Sequence, residues 1–246
     1  MSETPSLPAL EQLPDDTFKR ILCVVAHPDD VEYGISACVN RWVKGGAHVA
    51  YLLLTSGEAG MQQPPEVVGP LRAEEQRRAC EAVGVTDLTI LDHPDGSLVY
   101  GLDLRRDVAR RIREFKPDVV VTGSWEVEVG WGLNQADHRA AGLAALDGCR
   151  DADNTWVHPE LANAGLTKWG VTWLLVHGAP KPSHYVPLSE DDIAAGVASL
   201  EQHREYLAEL GPDYPAPSEF IPGMLRPAGA VFGTPGALPF KAHKLV

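Results

Sequence analysis

The sequence predicts a single α/β domain, a Rossmann-like sandwich with a mainly parallel sheet and helices on both faces. Short apolar runs rich in β-branched residues alternate with helical stretches along the chain. This alternation is typical of parallel sheets whose crossover helices cover both faces. The length of 246 residues and the 44% share of hydrophobic residues fit one large domain with a buried core.

The predicted elements follow one another from residue 20 onward. The run 20–26 is a short, largely apolar segment rich in β-forming residues, which indicates a strand buried on both faces, and the helix over 30–44 ends at a Gly-Gly pair. By the same criteria, strands are predicted over 47–54, 88–91, 118–122 and 171–177. Helices are predicted over 71–83, 102–115, 137–149 and 190–210.

The domain organisation follows from where this alternation begins and ends. Residues 1–18 are polar and acidic and are expected to form an N-terminal arm. Residues 19–210 carry the α/β catalytic domain. Residues 211–246 are rich in proline and glycine and are expected to form a tail packed on that domain.

Composition excludes several classes of function. The net charge of −13 would repel a polyanion, so nucleic-acid binding is not expected. No apolar run approaches the roughly 20 residues that span a bilayer, and the first residues lack the apolar core of a signal peptide. The four cysteines are scattered, which favours reduced thiols in a cytoplasmic protein. Homo-oligomerisation stays open.

The predicted fold indicates where a site should lie. In open α/β sheets, ligands bind at the carboxyl ends of the strands, where the strand order reverses. With the common order 3-2-1-4-5, that point lies between the first and the fourth strand. The loops after residues 26 and 122 are therefore the candidates.

The first of these loops reads His27-Pro28-Asp29-Asp30. An imidazole and a carboxylate are good zinc ligands, and the turn can direct His27 and Asp30 to one point. The alternative is structural, because acidic residues at a helix N-terminus also interact favourably with the helix dipole.

The second loop contains Asn134, Gln135, Asp137 and His138 just before a helix. His138 would complete a site of two histidines and one carboxylate, which leaves one position open for water and is typical of catalytic zinc. The alternative here is helix capping by Asn134 or Asp137. Two such clusters on the two loops that flank the expected crevice favour one Zn²⁺ per chain.

The expected chemistry is hydrolysis. Zinc lowers the pKa of its bound water to around 7 and polarises a carbonyl. Asp29 cannot easily bind the same ion as its neighbour and is free to act as the general base. Gln135 or Asn134 could donate to the developing oxyanion, and Asp137 is also assigned to catalysis.

These motifs, taken together, resemble the LmbE-like (PIG-L) family of zinc-dependent N-deacetylases. The resemblance rests on Ala26-His27-Pro28-Asp29-Asp30-x-Glu32, Thr55 to Gly60, Arg72 with Glu75, Asp95-Gly96 and Asp137-His138. It implies a Rossmann-like core and removal of acyl groups from amino sugars such as N-acetylglucosamine conjugates. By that resemblance His27, Asp30 and His138 match the metal ligands, Asp29 the general base, and Arg72 and Asp95 positions that hold the sugar.

One position departs from the pattern of the family. Many members have a histidine where this chain has Gln135, and a glutamine can donate a hydrogen bond but cannot carry a proton charge. His177 and His184 are candidates to replace it, although a structural role fits each of them better. Glu58 and Asn134 complete the predicted substrate contacts.

The sequence therefore predicts a zinc amidohydrolase acting on an N-acylated amine, most simply an amino sugar or glycoside conjugate. A conjugate amidase or an esterase on the same zinc site is the first alternative. A metal- or sugar-binding protein without catalysis is the second, motivated by Gln135. A dinucleotide-binding protein is disfavoured, because the first strand–helix turn lacks Gly-x-Gly-x-x-Gly.

Overall fold

The computed structural model describes residues 10–246. The strands are β1 (Glu11–Gln12), β2 (Arg20–Val25), β3 (His48–Leu53), β4 (Asp87–Ile90), β5 (Val119–Gly123), β6 (Glu128–Val129), β7 (Gly132–Leu133), β8 (Trp173–His177), β9 (His184–Leu188) and β10 (Gly236–Lys244). The helices are α1 (Asp30–Gly34), α2 (Ser36–Lys44), α3 (Pro65–Ala82), α4 (Leu102–Phe115), α5 (Ala136–Ala152), α6 (Pro159–Asn163), α7 (Glu190–Leu200), α8 (Arg204–Glu209) and α9 (Pro217–Phe232).

Eight strands form one sheet in the order β4-β3-β2-β5-β8-β10-β9-β1. The first five reproduce the expected order 3-2-1-4-5, and every pair among them is parallel. Strand β10 runs antiparallel to both of its neighbours, and β1 pairs with β9 in parallel. The strand order reverses between β2 and β5, so the crevice that binds ligands in such sheets lies at their carboxyl ends.

The sheet is covered on both faces, which confirms the predicted fold class. Along β2, Ile21 and Cys23 belong to one core cluster, whereas Leu22 and Val24 belong to the other. This division follows from the alternation of side chains along a strand. Helices α1, α2, α7 and α9 contribute to the first cluster, and α4 and α5 contribute to the second.

Two predicted helices are each divided in two. The helix expected over 30–44 is interrupted at Ile35, whose φ of −134° and ψ of 1° are not helical. The helix expected over 190–210 breaks between α7 and α8, where the side chain of His203 is fully buried. The first break directly follows Gly34, a residue with low helix propensity, and the second coincides with the buried His203.

The two terminal segments take part in the fold more fully than the sequence suggested. Residues 211–246 form helix α9 and strand β10. Helix α9 contains Pro222 and Pro227 in its interior. The proline content that predicted an irregular tail is thus accommodated within a helix. At the other end, Leu13 and Phe18 are buried in the core, and β1 joins the sheet. Residues 1–9 of the expected arm lie outside the described residues.

Within residues 10–246, no helix combines the length and the apolarity that crossing a bilayer requires.

Candidate metal and catalytic site

The two predicted site loops meet at the point where the strand order reverses. His27 follows the end of β2, and His138 lies in the first turn of α5, which the chain enters from β5 through the β6–β7 hairpin. Because β2 and β5 are neighbouring parallel strands, their carboxyl ends share one edge of the sheet. The rings of His27 and His138 consequently lie 5.2 Å apart, measured between centroids.

Asp30 connects these two histidines. Its Oδ1 lies 3.0 Å from Nε2 of His138, and its Oδ2 lies 3.6 Å from Nδ1 of His27. The same Oδ2 accepts the backbone N–H groups of Ala26 and His27 at 3.0 and 2.9 Å. The carboxylate is thereby fixed by the loop, and the three predicted ligands form a group able to hold a metal ion.

A second group with metal-ligand chemistry shares His27. Nε2 of His27 lies 3.0 Å from Oδ1 of Asp95 and 3.4 Å from Oδ2 of Asp137. Both carboxylates are already engaged by the backbone. Asp95 accepts the N–H of Ala59 at 2.8 Å, and Asp137 accepts two N–H groups of the turn 96–98 at 2.8 and 3.1 Å. Carboxylates commonly orient a metal-binding histidine in this way, which leaves Nδ1 of His27 facing Asp30.

The charges around this cluster favour a cation. Burial acts to lower the pKa of His27, but the carboxylates of Asp30, Asp137 and Asp95 raise it to about 12. Burial acts to raise the pKa of Asp30, but His138 and His27 hold it well below its usual range. Two imidazoles and one carboxylate on one side of a crevice suit a transition-metal ion, so the residues present fit such a group.

Asp29 occupies a left-handed backbone conformation with a φ of 87°. This conformation costs a residue with a Cβ roughly 1–2 kcal/mol. Its carboxylate lies 3.2 Å from Nη2 of Arg72, whereas the neighbouring Asp30 contacts His138. Burial raises the pKa of Asp29 to about 6, against the lowering effect of Arg72. A carboxylate with a pKa close to neutrality is suited to accept a proton and return it.

Arg72 is buried and closely held. Its Nη1 donates to the carbonyl of Gly57 at 3.0 Å, and its Nη2 donates to the carbonyl of Pro28 at 2.6 Å. The guanidinium also lies 4.1 Å from the ring centroid of Tyr206. Its Nε finds no hydrogen-bond partner among the described residues, so one donor of the side chain is uncommitted.

The other predicted substrate contacts are engaged within the protein. The carboxylate of Glu58 accepts the N–H of Asp95 at 2.8 Å and the hydroxyl of Ser56 at 2.9 Å. The amide of Asn134 donates to the carbonyl of Ser124 at 2.6 Å. Hydrogen bonds within the protein therefore hold both side chains in place.

Gln135 is the exposed N-cap residue of α5, and its side chain makes no capping hydrogen bond. The ring of His177 packs where a Cβ on Gly34 or Gly123 would stand, at the end of β8 beside the cluster. Burial lowers the pKa of His177 to about 4, so its imidazole is neutral near pH 7. His184 lies elsewhere, with its Nδ1 2.9 Å from the hydroxyl of Ser183.

Two residues behind Asp29 were not predicted. Gln76 accepts the backbone N–H of Asp29 at 3.0 Å and donates to Glu32 at 3.0 Å, and Nε2 of His203 lies 3.4 Å from Glu32. Gln76 follows Arg72 by four residues and shares its helix face, a spacing that could have identified it. For His203 the sequence holds no such signal.

The sequence of this chain is similar to those of known deacetylases. The family described as "PIG-L: GlcNAc-PI de-N-acetylase" matches the chain over residues 22–149. A diacetylchitobiose deacetylase of Thermococcus kodakarensis is 29% identical over 201 residues, which cover 80% of this chain and 73% of that protein. A 1D-myo-inositol 2-acetamido-2-deoxy-alpha-D-glucopyranoside deacetylase of Kineococcus radiotolerans is 36% identical over 188 residues, but the match spans only 59% of this chain and 50% of that protein.

Among solved structures, the N,N'-diacetylchitobiose deacetylase of Pyrococcus horikoshii superposes with a TM-score of 0.83. The match covers 94% of this chain and 86% of that chain at 20% sequence identity. At this identity the likeness establishes a shared fold only. The chemistry has to be inferred from the residues of the site.

Proposed function

Because the chain belongs to the PIG-L family of GlcNAc-PI de-N-acetylases, as its motifs indicated, we propose that it is a metal-dependent hydrolase that removes an acetyl group from an N-acetylated amino sugar or its conjugate. The related proteins named above are deacetylases of such compounds. The observation that carries the proposal is the approach of His27, Asp30 and His138 to one another, with the buried Asp29 beside them.

The ion that we propose is Zn²⁺, one per chain, held by His27, Asp30 and His138. Nδ1 of His27 and Nε2 of His138 are the nitrogens that face Asp30. Three protein ligands leave a coordination position open, as catalytic zinc requires. Such an ion supplies a Lewis acid for the acyl carbonyl and a water nucleophile at neutral pH.

The protein side chains would supply the rest of the reaction. Asp29 is proposed to take the proton of the attacking water and to return it to the departing amine, for which its pKa of about 6 is suitable. Gln135 is proposed to donate a hydrogen bond to the oxyanion. Asp137 supports the reaction by accepting from Nε2 of His27 and so keeping that ring oriented.

The substrate contacts stay a prediction. Arg72 is proposed to contact a sugar oxygen, and its hydrogen bonds to the carbonyls of Gly57 and Pro28 would fix the guanidinium for that role. Asp95, Glu58 and Asn134 would shape the pocket, with their own hydrogen bonds keeping them in place.

The test is an assay of primary amine release from N-acetylglucosamine and diacetylchitobiose, run beside metal analysis of the same protein. We expect release that a chelator abolishes and that added zinc restores. Matched ester and thioether-conjugate substrates separate deacetylation from the alternative esterase and conjugate amidase activities. A protein that takes up no metal at micromolar concentration and releases no amine would refute the proposal.

A second candidate function, sugar binding without turnover, is favoured by one observation. Gln135 stands where many members of the family have a histidine, and an amide can donate a hydrogen bond but not a proton. This candidate predicts calorimetric binding of diacetylchitobiose to the metal-loaded protein without amine release. It also predicts that Gln135→His creates activity, whereas the deacetylase proposal predicts activity in the native chain.

A further inference from the structure

The backbone of Asp29 is held by a side chain from another helix. Asp29 immediately precedes α1 and has a positive φ, which residues other than glycine rarely adopt. Its N–H donates to Oε1 of Gln76, which is fully buried on α3, at 3.0 Å. Neither the motifs at the site nor its proposed ligands include Gln76.

The amide of Gln76 has only one orientation that satisfies its neighbours. An amide offers an acceptor at its oxygen and donors at its nitrogen. Asp29 presents an N–H, so the oxygen must face it, and Glu32 presents a carboxylate oxygen, so the nitrogen must face Glu32. Rotation of the amide by 180° would break both hydrogen bonds. The position of Asp29 is therefore tied to the position of Glu32.

Buried residues pack on Glu32 from the opposite side. Its side chain and that of His203 are fully buried, with Oε2 of Glu32 3.4 Å from Nε2 of His203. Among the described residues, that Oε2 and both ring nitrogens of His203 make no hydrogen bond. The hydroxyl of Ser199 lies 3.5 Å from Oε1 of Glu32 and donates to the carbonyl of Ala79 at 2.8 Å. The hydrogen bond to Gln76 at 3.0 Å is therefore the shortest of these side-chain contacts of the Glu32 carboxylate.

We propose that Gln76 is a positioning residue for the proposed general base, and that Glu32 keeps its amide in the working orientation. The inference rests on the proposed function, because it takes Asp29 as the base. Within residues 10–246 the hydrogen bonds of Gln76 go to Asp29, Glu32 and Cys80 and to none of the proposed metal ligands, and its side chain is fully buried, so it would act through the backbone of Asp29. General-base catalysis requires a carboxylate within hydrogen-bond reach of its proton, and small displacements reduce the rate strongly.

The experiment compares three variants of the full chain. Gln76→Leu removes both hydrogen bonds at similar volume. The double variant Gln76→Glu with Glu32→Gln exchanges the two groups, so the side chain at position 76 still accepts from Asp29 and the amide at position 32 donates to it. Gln202→Leu is the matched control, because Gln202 donates only to the carbonyl of Ala198 at 3.1 Å within its own helical segment.

For Gln76→Leu we expect kcat to fall roughly 10- to 100-fold. Its KM and metal content should stay within about twofold of the native values, because substrate and metal contacts are unchanged. The double variant should recover most of the rate, and Gln202→Leu should match the native chain. Equal kcat in Gln76→Leu and Gln202→Leu, or no recovery in the double variant, would overturn the assignment.

A crystal structure of Gln76→Leu separates this inference from the proposed function. We expect the backbone of Asp29 to leave its left-handed conformation or its carboxylate to move away from Arg72. An unchanged Asp29 would overturn the positioning role whether or not the native chain is an enzyme. If Gln76→Leu does not fold, the same comparison is made with the double variant Gln76→Glu with Glu32→Gln, in which Asp29 should keep its native conformation. A displaced Asp29 in that variant would contradict the assignment.

Discussion

His27 and Asp30 contact each other through both backbone and side chain. One oxygen of Asp30 accepts the backbone N–H of His27 at 2.9 Å and lies 3.6 Å from Nδ1 of the ring. The other oxygen lies 3.0 Å from His138. A turn of three residues thus sets the relative position of two proposed ligands before any ion binds, which reduces the reorganisation that binding requires.

The first prediction concerns metal content. We expect His138→Ala to lose bound metal and activity together, because two remaining ligands from one loop hold a transition metal poorly. The native chain should contain about one ion, and the variant close to none, measured by mass spectrometry of protein purified without chelator.

The matched control is His93→Ala. His93 belongs to a His-Pro-Asp sequence that resembles the first site motif, but its Nε2 pairs with Asp107 at 3.1 Å. This variant should keep its metal. Equal metal content in the His138 and His93 variants would contradict the ligand assignment.

The second prediction concerns Asp29. Asp29→Ala should keep its metal and lose most of its turnover, by about 10²- to 10⁴-fold in kcat, which is the usual contribution of a general base. Steady-state kinetics and metal analysis of one preparation test this together. Full activity in this variant would remove Asp29 from the mechanism, and loss of metal would assign it to the metal site.

The third prediction concerns Gly57, which adopts a φ of +65° next to Arg72. A Cβ there would stand 2.3 Å from Nη1 of Arg72, so Gly57→Ala must displace the guanidinium. We expect a cost of about 1–2 kcal/mol from the backbone and about 1–3 kcal/mol more from the clash. Lower kcat should accompany it, because Arg72 contacts Asp29.

Gly46→Ala separates these two effects. Gly46 also has a positive φ, of +89°, but a Cβ there would meet no atom within 4 Å. Urea unfolding should show only the backbone cost for this variant, with native activity. If the two variants are equally stable and equally active, the close packing of Gly57 on Arg72 contributes to neither stability nor activity.

The fourth prediction concerns the cysteines. All four are free and buried, and burial raises the pKa of each thiol, so the reactive thiolate is scarce at neutral pH. We expect almost no reaction of the folded protein with a colorimetric thiol reagent at pH 7. In strong denaturant about four thiols per chain should react. Rapid labelling of the folded chain would show that one of these positions opens readily.

Local patterns in the sequence were sufficient for the central strands and for the site loops. The run that becomes β2 is apolar from Ile21 to Val25, and Asp29 and Asp30 stand at the start of the next helix, so strand, turn and proposed ligands lie within a few residues of one another. The family motifs added Arg72 and Asp95, which the structure brings to the same crevice.

The parts that were missed depend on contacts between distant segments. Helix α9 continues through Pro222 and Pro227, against local preference, while Ile221 and Leu225 on the same helix are buried. The burial of His203 against Glu32 joins positions from opposite halves of the chain. A single sequence carries no signal for such a pairing.

Strand β10 also has a consequence for how the molecule is assembled. Strands β9 and β1 are connected to the rest of the sheet only through β10, which comes after them in the chain. Loop-closure entropy makes such distant pairings slow to form. During synthesis, β9 therefore emerges from the ribosome before β10 exists, when only β1 of its two sheet partners has been made. By then β2 and β5, which carry the site, have already been made, so the edge of the sheet closes last.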